Sequence, residues 1–178
     1  MTDDKLESFE KKLREVRDIP KPPLHLWNPP LSGDIPIFIR ADGVWFHDGG
    51  EIRREALVRL FASILRREED GDYYLVTPVE KWRISVELHP LVVTDAEFRE
   101  QNGEQVLCCA LNTGEIVDVS ESHPLFLEPA VGNIAAVRLE HGLSALFARP
   151  AWYRLVDMAL EQGDGTVLRS GKMTFPLT

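Results

Sequence analysis

The residues best suited to hold a ligand are Glu80-Lys81-Trp82-Arg83, which put two cations, an acid and a large aromatic side chain in one short run. A guanidinium or ammonium beside an indole suits stacking and anion contact. Arg40 and Trp45, from a predicted hairpin, are candidate neighbours on the same sheet. Arg40, Trp45, Glu80, Lys81 and Trp82 therefore make the candidate ligand-binding set. The partner it suits is a protein or a small anionic ligand, because such anchors combine wide contact area with fixed hydrogen-bond forks. A salt-bridged sheet surface with Trp82 half buried would use the same residue types and is the competing reading.

No spacing in the chain names a reaction. Gly165 and Gly171-Lys172 suggest a phosphate loop, but five residues separate the glycines where the motif has four, and Met173 stands where Ser or Thr should meet magnesium. Gly142-Leu143-Ser144-Ala145-Leu146 begins like a nucleophile elbow, lacks the second glycine, and reads as a strand. His25, His47, His89, His123 and His141 show no metal-ligand spacing, and two of them precede proline, as loop residues do. Glu68-Glu69-Asp70-Gly71-Asp72 has the wrong order for a calcium loop and reads as a solvated turn. Cys108 and Cys109 are adjacent, so on a strand they face opposite sides and read as structural thiols of a reducing compartment. The sequence therefore predicts no catalytic residue, no metal site and no cofactor.

Composition narrows the class further. The chain has 178 residues, 44% hydrophobic and 28% charged, which excludes a disordered or fibrous polypeptide. Its longest apolar run, Val106–Leu111, is far short of the ~20 residues that span a bilayer. The first 17 residues are charged throughout, unlike a secretory leader. These features predict a cytoplasmic protein without a membrane span. The net charge is −9, and residues 84–130 hold nine acids against one base, Arg99. That balance repels phosphate backbones and disfavours nucleic acid as a partner.

The elements that must position the candidates can be read along the chain. Leu6, Phe9, Leu13 and Val16 form one apolar stripe, predicting a helix over 3–17. Half of the 12 prolines then fall between Pro20 and Pro36, where Leu24, Leu26 and Trp27 predict an extended segment that packs on the body. Strands are predicted at 35–40 and 44–47 around Asp42-Gly43, a helix over 52–67, and strands at 73–77 and 82–88. The middle reads as β: a strand from Val92 toward Asn102-Gly103, another at 105–111, a Gly114 turn and a return at 115–119. Residues 120–129 read as irregular. Strands at 134–139 and 143–148 lead to a helix opened by Pro150, with Trp152, Leu155, Val156, Ala159 and Leu160 as its stripe and Gly163 as its cap. A strand over 166–170 follows.

The hairpin–helix–turn–strand order thus occurs twice, and residues 36–80 lie over 134–170 as an internal repeat. Trp27-Asn28-Pro29-Pro30-Leu31-Ser32-Gly33, then Ile37, Gly43 and Trp45, then Leu60-Phe61-Ala62-Ser63 and Tyr74-Leu75-Val76-Thr77-Pro78-Val79-Glu80-Lys81, resemble a bacterial family of domains of unknown function over residues 20–178. The resemblance implies a duplicated α+β core and a C-terminal half similar to a pleckstrin-homology fold. It also implies a ligand groove between the halves with a signalling role, and it carries no catalytic residues.

The sequence reading is thus an α+β protein with duplicated antiparallel β units, each with one amphipathic helix, plus an N-terminal helix. Its divisions are 1–19, 20–94 and 95–178. The function it supports is a non-catalytic binding module, regulatory or signalling in character. The alternative is a small hydrolase-like enzyme whose site is assembled from scattered residues.

Overall fold

The computed structural model describes residues 2–13 and 20–178. The chain divides into two compact units, 1–88 and 89–178, so the sequence division at 94/95 would cut through a strand. Among the described residues, no helix is long and apolar enough to cross a membrane.

The first unit opens with α1 (Thr2–Leu13); residues 14–17 of the predicted helix, Val16 among them, lie outside the described residues. Strands β1 (Gly33–Ile39), β2 (Trp45–His47) and β3 (Gly50–Glu51) form one antiparallel meander. Helix α2 (Glu55–Ser63) leads to a second meander, β4 (Leu65–Arg67), β5 (Tyr73–Val76) and β6 (Lys81–Val86). The two join through a parallel pairing of β1 with β6, giving the order β3-β2-β1-β6-β5-β4. Along β1 Ile35, Ile37 and Ile39 are buried while Asp34, Pro36 and Phe38 face outward, the alternation of a strand with one covered face.

The second unit repeats this plan. Strands β7 (Leu91–Gln101), β8 (Glu104–Leu111) and β9 (Ile116–Asp118) form one meander, and β10 (Leu125–Glu128), β11 (Ile134–Arg138) and β12 (Ser144–Phe147) the other. The parallel joint is β7 with β12, and the order is β10-β11-β12-β7-β8-β9. Numbered from its own first strand, each sheet reads third-second-first-sixth-fifth-fourth. Helix α3 (Arg149–Gln162) and a separate hairpin, β13 (Val167–Ser170) with β14 (Met173–Pro176), complete the unit. Two meanders followed by a helix are consistent with the pleckstrin-homology-like resemblance.

The fold is α+β with duplicated halves, but the phase of the repeat differs from the sequence overlay. The matching strand orders set β1–β6 against β7–β12, whereas the overlay of 36–80 on 134–170 set α2 against α3. Helix α2 sits between the meanders and α3 follows both. The two helices, each followed by a glycine turn, are alike in sequence without being equivalent in the fold.

Other departures have local causes. The helix predicted over 52–67 stops at Ser63, and Leu65-Arg66-Arg67 pair with Leu75-Tyr74-Tyr73 instead. Gly71, at φ +84°, closes that hairpin, its N–H donating to Glu68 O at 3.0 Å. Residues 125–128, read as irregular, form β10 on the neighbouring β11. On α3 the buried stripe is Ala151, Leu155 and Ala159, and Leu160 is exposed. Gly163 has φ −178°, an extended backbone and not the left-handed cap. In the Pro-rich segment Leu24 is buried, Trp27 half-buried and Leu26 exposed.

Candidate functional site

Strand alternation decides where the candidate side chains go. On β6, Trp82 and Ile84 share one face and Lys81 and Arg83 the other. Trp82 lies opposite Gly33, and Trp45 opposite Ile39, so the two indoles stand near opposite ends of the face lined by Ile35, Ile37 and Ile39. That face is covered by helices. Phe61 of α2 stacks on Trp45 with ring centroids 6.1 Å apart, and Phe9 of α1 stacks on Phe61 at 6.1 Å. Phe9 then meets Trp82 edge-on at 6.4 Å. The result is a continuous aromatic row, Trp82–Phe9–Phe61–Trp45, in which only Phe9 comes from α1.

Helix α1 is seated by two apolar anchors and two rim ion pairs. Phe9 and Leu13 are 2% and 0% exposed, one helical turn apart on the same side. Burying a side chain of this size stabilises by about 1.5–3 kcal/mol. Lys12 Nζ lies 2.6 Å from Glu80 Oε1, and Glu10 pairs with Arg54. The seat is not fully satisfied: among the described residues Trp82 Nε1 and Trp45 Nε1 are buried with no acceptor. Each such orphan costs about 1–3 kcal/mol. Beneath Trp82, Gly33 has φ +140°, and a Cβ there would stand 3.4 Å from the indole ring.

Lys81 belongs to a different network on the opposite face. Its Nζ lies 2.8 Å from Glu68 Oε1 and 4.8 Å from the centre of the Tyr74 ring. Arg66 donates to the other Glu68 oxygen at 2.6 Å and to the carbonyls of Leu24 and Trp27 at 2.7 and 2.9 Å. This network therefore ties the Pro-rich segment to the sheet. Partial burial opposes ionisation of Glu68, yet hydrogen bonds from Lys81 and Arg66 hold its carboxyl below the usual range. The Tyr74 hydroxyl donates to Asp70, which pushes its pKa up to about 12. Arg40 lies beyond the other end of β1, paired with Asp42 at 2.6 Å and placed over the Phe46 ring at 5.1 Å. Of the five candidates, then, Trp82 and Glu80 meet around α1, Trp45 joins them through Phe61, and Lys81 and Arg40 stand apart.

Sequence reasoning missed one polar constellation in the second unit. His89 Nδ1 lies 2.6 Å from Ser144 Oγ, and its Nε2 lies 2.7 Å from Glu128 Oε2. Hydroxyl, imidazole and carboxylate in a row suggest an acyl-transfer triad. Here, however, Ser144 and His89 are buried, only 8% and 5% exposed, as members of a packed structural row are. Glu128 is also engaged on its other side, accepting from Ala130 N at 3.1 Å. That bond, opposed by partial burial and aided by His89, lowers its pKa. The row pins the entry to β7, the start of β12 and the end of β10. The three residues are far apart in the chain, so no short motif announces them.

The two cysteines are free and buried in β8. Burial first, then the neighbouring Asp118 carboxylate, raises the Cys108 thiol to about 11. Burial raises Cys109 to about 12. Neither thiol is activated as a nucleophile. Among the described residues no group of three or more His, Cys, Asp or Glu could hold a metal ion.

Two units with one strand order, each combining a six-stranded sheet with α-helix, define a duplicated α+β protein. The chain belongs to the DUF1285 family: the family's N-terminal domain of unknown function matches residues 22–88 and its C-terminal domain matches residues 90–177. It is similar to the crystal structure of a DUF1285 family protein from Silicibacter pomeroyi DSS-3, with 38% identity over 93% of this chain and 94% of that one and a TM-score of 0.77. It is also similar to a DUF1285 family protein from Shewanella baltica OS155, with 31% identity over 69% of this chain and 91% of that one and a TM-score of 0.58. No curated protein matches the chain. The N-terminal match begins at Pro22, so α1 precedes it.

Proposed function

We propose that this chain is a non-catalytic protein-binding module, regulatory in character, whose binding surface is the aromatic seat of the first unit. The observation that carries the reading is the seat itself: Phe61, Trp82 and Trp45 belong to the matched domain, whereas the side chain inserted among them, Phe9, comes from a helix that precedes it. Such a surface suits an amphipathic helix, which binds by anchors spaced three or four residues apart. In this reading Trp82 and Glu80 contact the partner, and Trp45 supports them from below. Lys81 acts from the opposite face by fixing the Pro-rich segment, and Arg40 stiffens its own hairpin. A cytoplasmic setting fits the two free thiols.

Screening separates this reading from a small-ligand one. Amphipathic helical peptides, nucleotides and acidic metabolites are compared by thermal shift on the full chain. Hits are then repeated on Trp82→Ala and Lys81→Ala. A helical peptide whose stabilisation disappears with Trp82→Ala and survives Lys81→Ala supports the seat. An anionic metabolite that depends on Lys81 and ignores Trp82 overturns it.

A further inference from the structure

The geometry points to α1 as a self-ligand: it holds the seat in the isolated chain and gives way to a partner helix that repeats its own pattern. This inference rests on the seat being the binding surface, and it adds what the partner looks like and how access is controlled.

Three observations specify the partner. Phe9 and Leu13 are fully buried anchors four residues apart, so the partner carries an aromatic side chain followed at that spacing by an aliphatic one. The rim is complementary in charge, with Arg54 holding Glu10 and Glu80 holding Lys12. An acid directly after the aromatic and a base directly before the aliphatic therefore fix which way the helix runs. The third observation explains why α1 can be exchanged. Trp82 Nε1 is buried without an acceptor among the described residues, and α1 sets the Phe9 ring against that indole. A helix that keeps the anchors and offers an acceptor to this N–H has an advantage over α1. Because α1 is tethered, it competes at high effective concentration and blocks weak binders. Only a partner with both the anchors and the charge pattern displaces it, which is how specificity arises when an internal competitor is present.

The test uses a fluorescein-labelled peptide with the sequence of residues 2–17 and reads fluorescence anisotropy. It is titrated with the full chain and with a full chain carrying Phe9→Ser and Leu13→Ser, which removes the anchors of α1. The peptide should bind the released chain at least ten-fold tighter than the unaltered one. Adding Trp82→Ala to the released chain should weaken binding at least ten-fold. A peptide carrying Glu10→Lys and Lys12→Glu should bind the released chain at least three-fold more weakly, and Arg54→Glu with Glu80→Lys in that chain should restore it. If the released chain fails to unfold cooperatively, the full chain with only Glu10→Lys and Lys12→Glu takes its place, since it keeps both anchors and weakens α1 at the rim; at least three-fold tighter binding than to the unaltered chain is then required. Equal affinity for the unaltered and released chains, lost with Trp82→Ala, overturns the self-ligand while leaving the seat as the binding surface. Binding to neither chain, or binding indifferent to Trp82→Ala, overturns both.

Discussion

Lys81 and Trp82 are consecutive in β6 and serve opposite faces of their sheet. The ammonium of Lys81 lies 2.8 Å from Glu68, while the indole of Trp82 meets Phe9 of α1 at 6.4 Å. Among the described residues the two side chains share no partner, so their contributions to stability should add. Lys81→Ala, Trp82→Ala and the double variant, compared by urea unfolding, should give a coupling energy below about 0.5 kcal/mol. A coupling of about 1 kcal/mol or more would show that the two faces communicate.

Glu68 should give the first unit a measurable acid sensitivity. Its folded pKa lies below the unfolded value of about 4.3, so the unfolded chain takes up the proton first. The stability it contributes is complete above that value and is lost as pH falls through the lowered folded pKa. Glu68→Gln should therefore cost about 2 kcal/mol at pH 7, the scale of hydrogen bonds to a charged group. The gap to the unaltered chain should shrink steadily below about pH 4. Urea unfolding at a series of pH values checks this, and a gap that stays constant down to pH 2 would contradict it.

Gly33 is under two constraints at once, a φ of +140° and an indole ring 3.4 Å from where a Cβ would stand. Gly33→Ala should cost about 1–3 kcal/mol through backbone strain. It should also shift the Trp82 environment, visible as a changed fluorescence spectrum that Trp82→Phe abolishes. Unchanged stability and an unchanged spectrum would mean that neither constraint acts.

The Ser144–His89–Glu128 row should behave as a structural pin. Ser144→Ala leaves the buried Nδ1 of His89 without its partner and should cost about 2 kcal/mol. For a chain of this length that is roughly a 4–8 °C fall in Tm by calorimetry. An active-site serine probe such as a fluorophosphonate should leave the native chain unlabelled. Labelling at Ser144 would reverse the assignment and favour the enzyme reading.

Much of this architecture was written in local patterns. Ile35, Ile37 and Ile39 alternate with outward residues, and Asn102-Gly103, with φ values of +52° and +79°, joins β7 to β8 as its dipeptide predicts. What escaped was decided at long range. Leu65-Arg66-Arg67 suits a helix end and a strand equally, and its pairing with β5 settles the matter. The neighbours of Trp82 are hidden from the sequence for a different reason. Adjacency in sequence made Lys81 look like its companion, although strand alternation sends consecutive side chains to opposite faces. Its actual companion, Phe9, lies far away in the first helix. Likewise His89, Ser144 and Glu128 converge only because β12 runs beside β7.

The pairing of first strand with last in each sheet has a consequence for how the protein emerges from the ribosome. Asp34 finds Arg83 only when unit 1 is nearly complete, and Leu91 finds Ala145 only after the five preceding strands of its sheet have been made. Until then each nascent half holds two separate meanders with an open central edge, a slow, non-local closure of the kind that lengthens folding. Because domains generally fold in order of synthesis, unit 1 can close its sheet before the last strand of unit 2 has been translated. A stalled chain ending before β6, or within unit 2 before β12, would lack that unit's central pair and leave the inner edge of its first meander open to pairing with other chains.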